Sequence, residues 1–389
     1  MKKLNSVFFN IIFTAIFSLF ALSSCSSDDP VKIRNSAIHK LYNHGSVKII
    51  AANSYELNKT LMWEGLLLAR DKIEQDNLCP VKIDLIKVDD TGNPMNALSI
   101  AHKIASDNEV SVVIGHGYSD ITVPCSLIYQ YYGIMTFNFI STTNTLTDRT
   151  NPLLVSNIPN DTDFGKEISN LCFQNGYKSM LVYYLDNNPG VSISNSFELN
   201  CNKFGISIVS RESFDLNTDS IEFDRTIKRW KNNFVFDAIF VTGRMPIIND
   251  IIVSLRENDI NCPIIGSDSF DDPLLTKNFT ENENERVFTV SNYNPESTTP
   301  AFKEFYQNFK RKYRKEPDQE ALQAYDALIV IARGIKSANS AIPTDIMGAL
   351  RNKPFSEAAG PYSFNNKGQI VGRKLTAKVF KDEEFVNIH

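Results

Sequence analysis

The chain has 389 residues, 42% hydrophobic and 22% charged, with a formal net charge of −5. That is enough apolar material for two full cores, and the mildly acidic balance gives no field for holding nucleic acid. Its scattered cysteines form no Cys-x-x-Cys pair and its five histidines show no i, i+4 pairing. A zinc site, a disulfide framework and a catalytic metal are therefore not expected.

At the N-terminus Lys2 and Lys3 precede an apolar run from Val7 to Leu22, too short for a stable membrane span, which reads as a signal peptide. Leu22-Ser23-Ser24-Cys25 follows and resembles the lipobox of bacterial lipoproteins. The resemblance implies that residues 1–24 are removed and that the Cys25 sulfur carries a diacylglycerol. Ser26 directly after the cysteine resembles an outer-membrane sorting pattern. The expected location is the cell envelope, lipid-anchored, on the periplasmic or surface face. Residues 25–44 lack a sustained period and read as a lipidated tether, with the folded body starting at 45.

From there β-rich runs alternate with helical periods. Val47–Ala51, Val81–Val88 and Ser111–Ile114 read as strands, with Met62, Leu66, Ala69 and Ile73 marking one intervening helix and Ala97, Ala101 and Ile104 the next. The pattern then restarts. Ser179–Leu185, Ile206–Val209, Ala238–Val241 and Pro263–Ile265 are expected strands, and 164–173, 194–203, 223–230 and 247–256 expected helices. Two further helices, 300–315 and 320–337, precede short strands at 361–364 and 375–380. Phe302, Phe305, Phe309 and Tyr313 share one face of the first, so the basic run Lys310–Lys315 is its solvated end. The predicted fold class is α/β, with two Rossmann-like open parallel-sheet lobes in tandem. Such lobes take ligands at the carboxyl ends of their strands, in the crevice between them.

Two loops there are rich in hydroxyls. Gly115-His116-Gly117-Tyr118-Ser119-Asp120 enters a helix whose first amides favour an anion such as a carboxylate, while Ser119 or Asp120 can cap it. It is not a dinucleotide fingerprint, because Asp120 stands where the third glycine is needed. One strand later, Asn138 to Asp148 includes Ile140, Ser141 and Thr142.

Val113 to Asp148 resembles the corresponding region of type I periplasmic binding proteins, the branched-chain amino-acid-binding family, and of related receptor ligand-binding regions. Trp63-Glu64-Gly65, Asp89-Asp90, Ile264 to Phe270, Ala324-Tyr325-Asp326-Ala327, Gly360, Phe364 and Gly368 extend the likeness over nearly the whole body. The resemblance implies two lobes joined by a hinge: residues 45–157 with 291–358, and 158–290 with 359–389. It also implies a ligand carboxylate on Ser119 and Thr142, an ammonium group near the Ile140 carbonyl, and Asp268 as its acidic partner. Two positions depart from the branched-chain binders. Pro189 replaces an aromatic that covers the ligand, and Ile247 replaces an ammonium-binding acid. Arg244, in the loop just before Ile247, offers a cation that can meet a second acidic ligand group or lie on the lobe surface. Asp268 can equally cap the turn after its strand.

The expected function is a solute-binding protein that closes on a small polar ligand, an amino acid or derivative, for uptake through an ABC permease. The alternative is a ligand-sensing or structural envelope lipoprotein that keeps the fold without a permease. The cleft loops offer no nucleophile with a histidine partner and no close carboxylate pair, so no enzyme activity and no cofactor are expected.

Overall fold

The computed structural model describes residues 29–148, 151–272, 275, 286–351, 353–381 and 384–388. The expected signal peptide and Cys25 lie outside the described residues.

After helix α1 (Pro30–Asn43) the first lobe builds strands β1 (Ser46–Asn53), β2 (Lys82–Asp89), β3 (Val110–Gly115), β4 (Met135–Asn138) and β5 (Leu154–Ser156). All pairs are parallel, in the order β2-β1-β3-β4-β5. Helices α2 (Met62–Gln75), α3 (Pro94–Ser106) and α4 (Ser119–Tyr131) cover its faces. Because both faces are covered, β3 is buried along its whole length, as its run of β-branched residues requires. Successive β1 residues feed opposite faces: Ile49 joins the core of Met62, Leu66 and Phe305, and Ile50 joins that of Ala101, Ile121 and Tyr129.

The second lobe repeats the plan. Helix α5 (Asp161–Gln174) leads into β6 (Ser179–Leu185), α6 (Asn188–Lys203), β7 (Ser207–Phe214), α7 (Ser220–Asn233), β8 (Ala238–Thr242), α8 (Ile247–Glu257), β9 (Ile264–Gly266) and β10 (Val287–Ser291). These strands are parallel in the order β7-β6-β8-β9-β10. The chain then returns to the first lobe with α9 (Pro300–Tyr313), α10 (Gln319–Ala338) and α11 (Pro343–Leu350). Helices α2 and α10 pack so closely that a Cβ on Gly65 would lie 2.2 Å from the Ala321 carbonyl oxygen, which accounts for glycine there.

A small sheet follows, of β11 (Pro354–Glu357), β12 (Gly360–Phe364) and β13 (Ile370–Val371). It was expected to divide at residue 358. Instead Tyr362, Phe364 and Ile370 pack with the first lobe, Phe364 lies edge-on to Phe137 at 6.1 Å, and Gln369 bridges to Ser156. Aromatic side chains hold this segment on the nearest apolar face, so the chain crosses back only before β14 (Thr376–Lys381) and β15 (Glu384–Asn387). Those two strands extend the second sheet antiparallel beside β10. The expected tether also differs, since residues 30–43 form a docked helix. Its local apolar pattern is weak; what holds it is the buried Arg34, described below.

Cys125, Cys172 and Cys201 are buried free thiols in helices, pushed above the ordinary range by burial. Among the described residues no helix is long and apolar enough to cross a membrane.

Candidate functional site

In both lobes the strand order reverses between the first and third strands of the set, so each has its switch point there: β1 and β3 in one, β6 and β8 in the other. The loops leaving β3 and β8 face each other across the cleft. Arg244, just past β8, places its Nη2 2.7 Å from Asp120 Oδ1 in the first turn of α4, and its guanidinium lies 4.1 Å from the Tyr118 ring centre. The two loops therefore meet through an ion pair and a cation–π contact. Arg244 is thus not a bare cation awaiting an acidic ligand group; its charge is matched by Asp120.

The wall on the first lobe is built on Gly115, whose φ of +150° favours glycine and whose added Cβ would lie 2.2 Å from the Ala52 carbonyl oxygen. Next to it, His116 is fully buried, with Nδ1 2.6 Å from Asp90 Oδ2 and Nε2 3.1 Å from the Tyr129 hydroxyl. Asp90 also accepts from Ser54 Oγ at 2.7 Å and from the Gly92 amide at 3.0 Å. Burial works to raise the Asp90 pKa, but His116 and these donors outweigh it and hold the carboxyl below its usual range. This network fixes the loops after β1, β2 and β3 against one another. Neither His116 nor Ser54 stood out in the sequence, because a buried pair 26 residues apart leaves no spacing signal.

Ser141 belongs to the same scaffold. Its hydroxyl pairs with Thr122 Oγ1 at 2.6 Å, and Asn138 brackets it by accepting from its amide and donating to its carbonyl. Ser119 opens α4 with its side chain at the cleft edge, 9% exposed, where the first amides of the helix are free of intrahelical partners. Thr142 remains partly accessible, while Ile140 touches the cores of both lobes.

Opposite them stands a residue that the sequence reading passed over. Asp161, at the first turn of α5, is 1% exposed; its amide donates to the Thr142 carbonyl at 2.8 Å, and the hydroxyls of Thr142 and Ser192 and the Asn144 amide are directed at its carboxylate. Burial nevertheless pushes its pKa up to about 6, and Oδ2 has no protein donor. Asp268 follows β9. Burial, then the charge of Asp161, raise it to about 7, against the amides of Asp268 and Ser269 that stabilise its anion. Its carboxylate therefore accepts from the amides of its own turn. The charge of Asp161 thus disfavours ionisation of Asp268, and Asp161 Oδ2 lacks a partner despite the donors directed at that carboxylate, so a cation placed between them would be stabilised. The available clue was the capping box on α5, which Asn160 and Asp163 close around Asp161. Asp271, close by, is already matched by Lys378 Nζ at 2.6 Å and by the Ser291 hydroxyl.

Ile247 lies in the core of the second lobe and Pro189 in the first turn of α6. Neither offers a polar group to the cleft. Among the described residues no cluster of side chains has the composition of a metal site.

A family model described as periplasmic binding protein matches residues 54–383. The Leu-, Ile-, Val-, Thr- and Ala-binding protein of Pseudomonas aeruginosa is 23% identical over 315 residues, 80% of this chain and 83% of its own length. The Leu/Ile/Val-binding protein of Escherichia coli is 22% identical over 293 residues, covering 75% of this chain and 77% of its own. An ABC transporter substrate-binding protein from Desulfitobacterium hafniense, solved in complex with Leu, superposes with a TM-score of 0.79 at 26% identity, covering 88% of this chain and all of the other. A solute-binding protein from R. palustris in complex with benzoate reaches a TM-score of 0.77 at 16% identity, over 88% of this chain and 96% of that one.

Proposed function

Given that the chain belongs to the periplasmic binding protein family, we propose that it is a lipid-anchored, extracytoplasmic solute-binding protein whose ligand is an amino acid or a close derivative, delivered to an ABC permease. The observation that carries this reading is the polarity of the cleft. Ser119 and the free amides opening α4 are suited to a carboxylate; the buried carboxylates of Asp161, with Oδ2 unpartnered, and Asp268 are suited to an ammonium group. An α-amino acid carries both charges a few ångströms apart. The Ile140 carbonyl adds a further acceptor for the ammonium. Relatives that bind Leu, Ile and Val support the class of ligand, while Ile247 and Pro189 separate this cleft from an ordinary branched-chain site. Binding rather than turnover is the reading favoured by His116, the histidine nearest the cleft, being committed to Asp90 and Tyr129.

The lipid anchor in this reading is supported by the Leu22 to Cys25 box after an apolar leader. Calorimetric titration of the purified body with amino acids and with their deaminated and decarboxylated analogues tests the ligand. Binding should need both charged groups, and Ser119→Ala should weaken it roughly tenfold to a hundredfold, the worth of one hydrogen bond to a charged group. Equal affinity for a deaminated analogue, or no change in Ser119→Ala, refutes the assignment.

A further inference from the structure

Helix α1 lies ahead of the family match, which starts at residue 54, and it is not a free tether. Asp29 caps it by accepting from the Val31 amide at 3.0 Å, and Pro30 sets its first turn. Arg34 is 0% exposed. Its Nε donates to the Tyr132 carbonyl at 2.7 Å, Nη1 to those of Asp107 and Val110 at 2.7 and 2.9 Å, and Nη2 to that of Ala105 at 2.6 Å. One guanidinium thus holds the C-terminal ends of α3 and α4 together, where the helix dipoles favour a cation. Val31 lies over Gly133, where an added Cβ would come within 3.0 Å of it. The start of α1 is therefore fixed against the last turn of α4.

This junction sits at the amino ends of β3 and β4, opposite the cleft. Helix α4 runs the whole distance: Ser119 begins it at the cleft, and 13 residues later, about 20 Å along, it ends beside α1. At the junction α1 and α4 expose Ile33 at 42%, Leu127 at 43% and Tyr131 at 67%, with Lys32 exposed as well, while the nearby carboxylates of Asp107 and Glu109 are paired with Lys48. Only Ser26, Ser27 and Asp28 separate Cys25 from Asp29. Four residues span at most about 14 Å.

We propose that this face of the first lobe, Ile33, Leu127 and Tyr131 with Lys32, lies against the lipid headgroups of the membrane that holds the anchor, and that the cleft is thereby directed away from the bilayer. The inference rests on the lipid anchor at Cys25. A diacylglyceryl cysteine sits at headgroup depth, in a layer roughly 5 to 8 Å thick, so so short a connection to a rigidly docked helix leaves the domain little freedom to turn another face. Tyrosine with flanking aliphatic and cationic side chains is the composition that such an interface retains. The first lobe becomes the fixed one, and the second moves over it.

The test uses the processed, lipidated full chain in vesicles of phosphatidylethanolamine and phosphatidylglycerol brominated near the headgroup. Tyr131→Trp and Val235→Trp place reporters at the α1–α4 junction and at the far end of the second lobe, where Val235 is 89% exposed. Flotation of each sample, with Cys25→Ala as control, reads the anchor separately. Quenching of most of the added emission in Tyr131→Trp, none in Val235→Trp, and recovery after a long Gly/Ser insertion following Asp28 support the proposal. Floating protein with equal quenching at both positions overturns it, keeps the anchor, and leaves the face to a protein partner. Failure to float, or flotation of Cys25→Ala to the same extent, removes the anchor and the proposal together.

Discussion

Replacing Asp268 by Asn should make the ligand-free protein more stable at pH 8 while weakening its hold on an amine. Asn keeps the shape and can still accept from the amides of residues 268 and 269. It removes a charge that burial and Asp161 disfavour. In the folded protein Asp268 titrates at about 7, against an unfolded value near 3.9, so folding takes up a proton between roughly pH 4 and 7. Stability of the empty protein accordingly falls as pH rises through that window. Three pK units at about 1.4 kcal/mol each set a ceiling of about 4 kcal/mol. Sharing of the proton with Asp161 and water in the cleft lower this to about 1–3 kcal/mol, a few degrees in melting temperature. Thermal unfolding of both proteins at pH 4 and pH 8 reads the effect: the variant should gain at pH 8 and differ little at pH 4, where the window begins. In the parent, affinity for an amine-bearing ligand should rise by up to about tenfold per unit between pH 6 and 7 and level off above, with a shallower slope in Asp268→Asn. A variant less stable than its parent at pH 8, or with an unchanged pH profile of binding, refutes the claim that this carboxylate is a strained cation receptor.

The Arg244–Asp120 pair joins the lobes but is part-exposed, at 21% and 30%, so it is worth at most about 1 kcal/mol. Arg244→Gln and Asp120→Asn should therefore each weaken ligand affinity severalfold and expand the protein in small-angle scattering, with no further loss in the double variant; additive losses would show that the two act separately. His116→Ala leaves the Asp90 carboxylate buried without its main partner and should cost about 3 kcal/mol in chemical denaturation. Because the folded pKa of Asp90 is depressed, its contribution is present above about pH 4 and lost as pH falls through the folded value, so Asp90→Asn should be more tolerant of acid than of neutral pH, relative to the parent. Equal penalties for Asp90→Asn at pH 3 and pH 7 would contradict this.

What could be read in the sequence is what local pattern controls. The buried, β-branched-rich runs of β3 and β8 and the loop entering α4 specify their structure within a few residues, and with them the two switch points and Ser119. What could not be read depends on partners distant in the chain. Helix α1 has only Arg34 and Ile38 buried, and its order comes from carbonyls more than 70 residues away. The three-residue β5 is too short for a periodic signal, and β11 to β13 are placed by the aromatic face they find on the first lobe. The site divides in the same way. Ser141 looked like a ligand group because its neighbours are hydroxyls, yet Thr122 and Asn138 use its polar groups to join two loops. Asp161 looked like one of several acids at a helix start, yet burial and an unpartnered Oδ2 set it apart. Residue type and spacing identify which groups can bind a charge; only the count of donors and acceptors around each decides which are already satisfied. On that count the scaffold uses the polar groups of His116, Ser141 and Arg244, joins Thr142 to Asp161, and leaves Asp161 Oδ2 without a partner, which is why the proposed site is drawn around Ser119, Asp161 and Asp268.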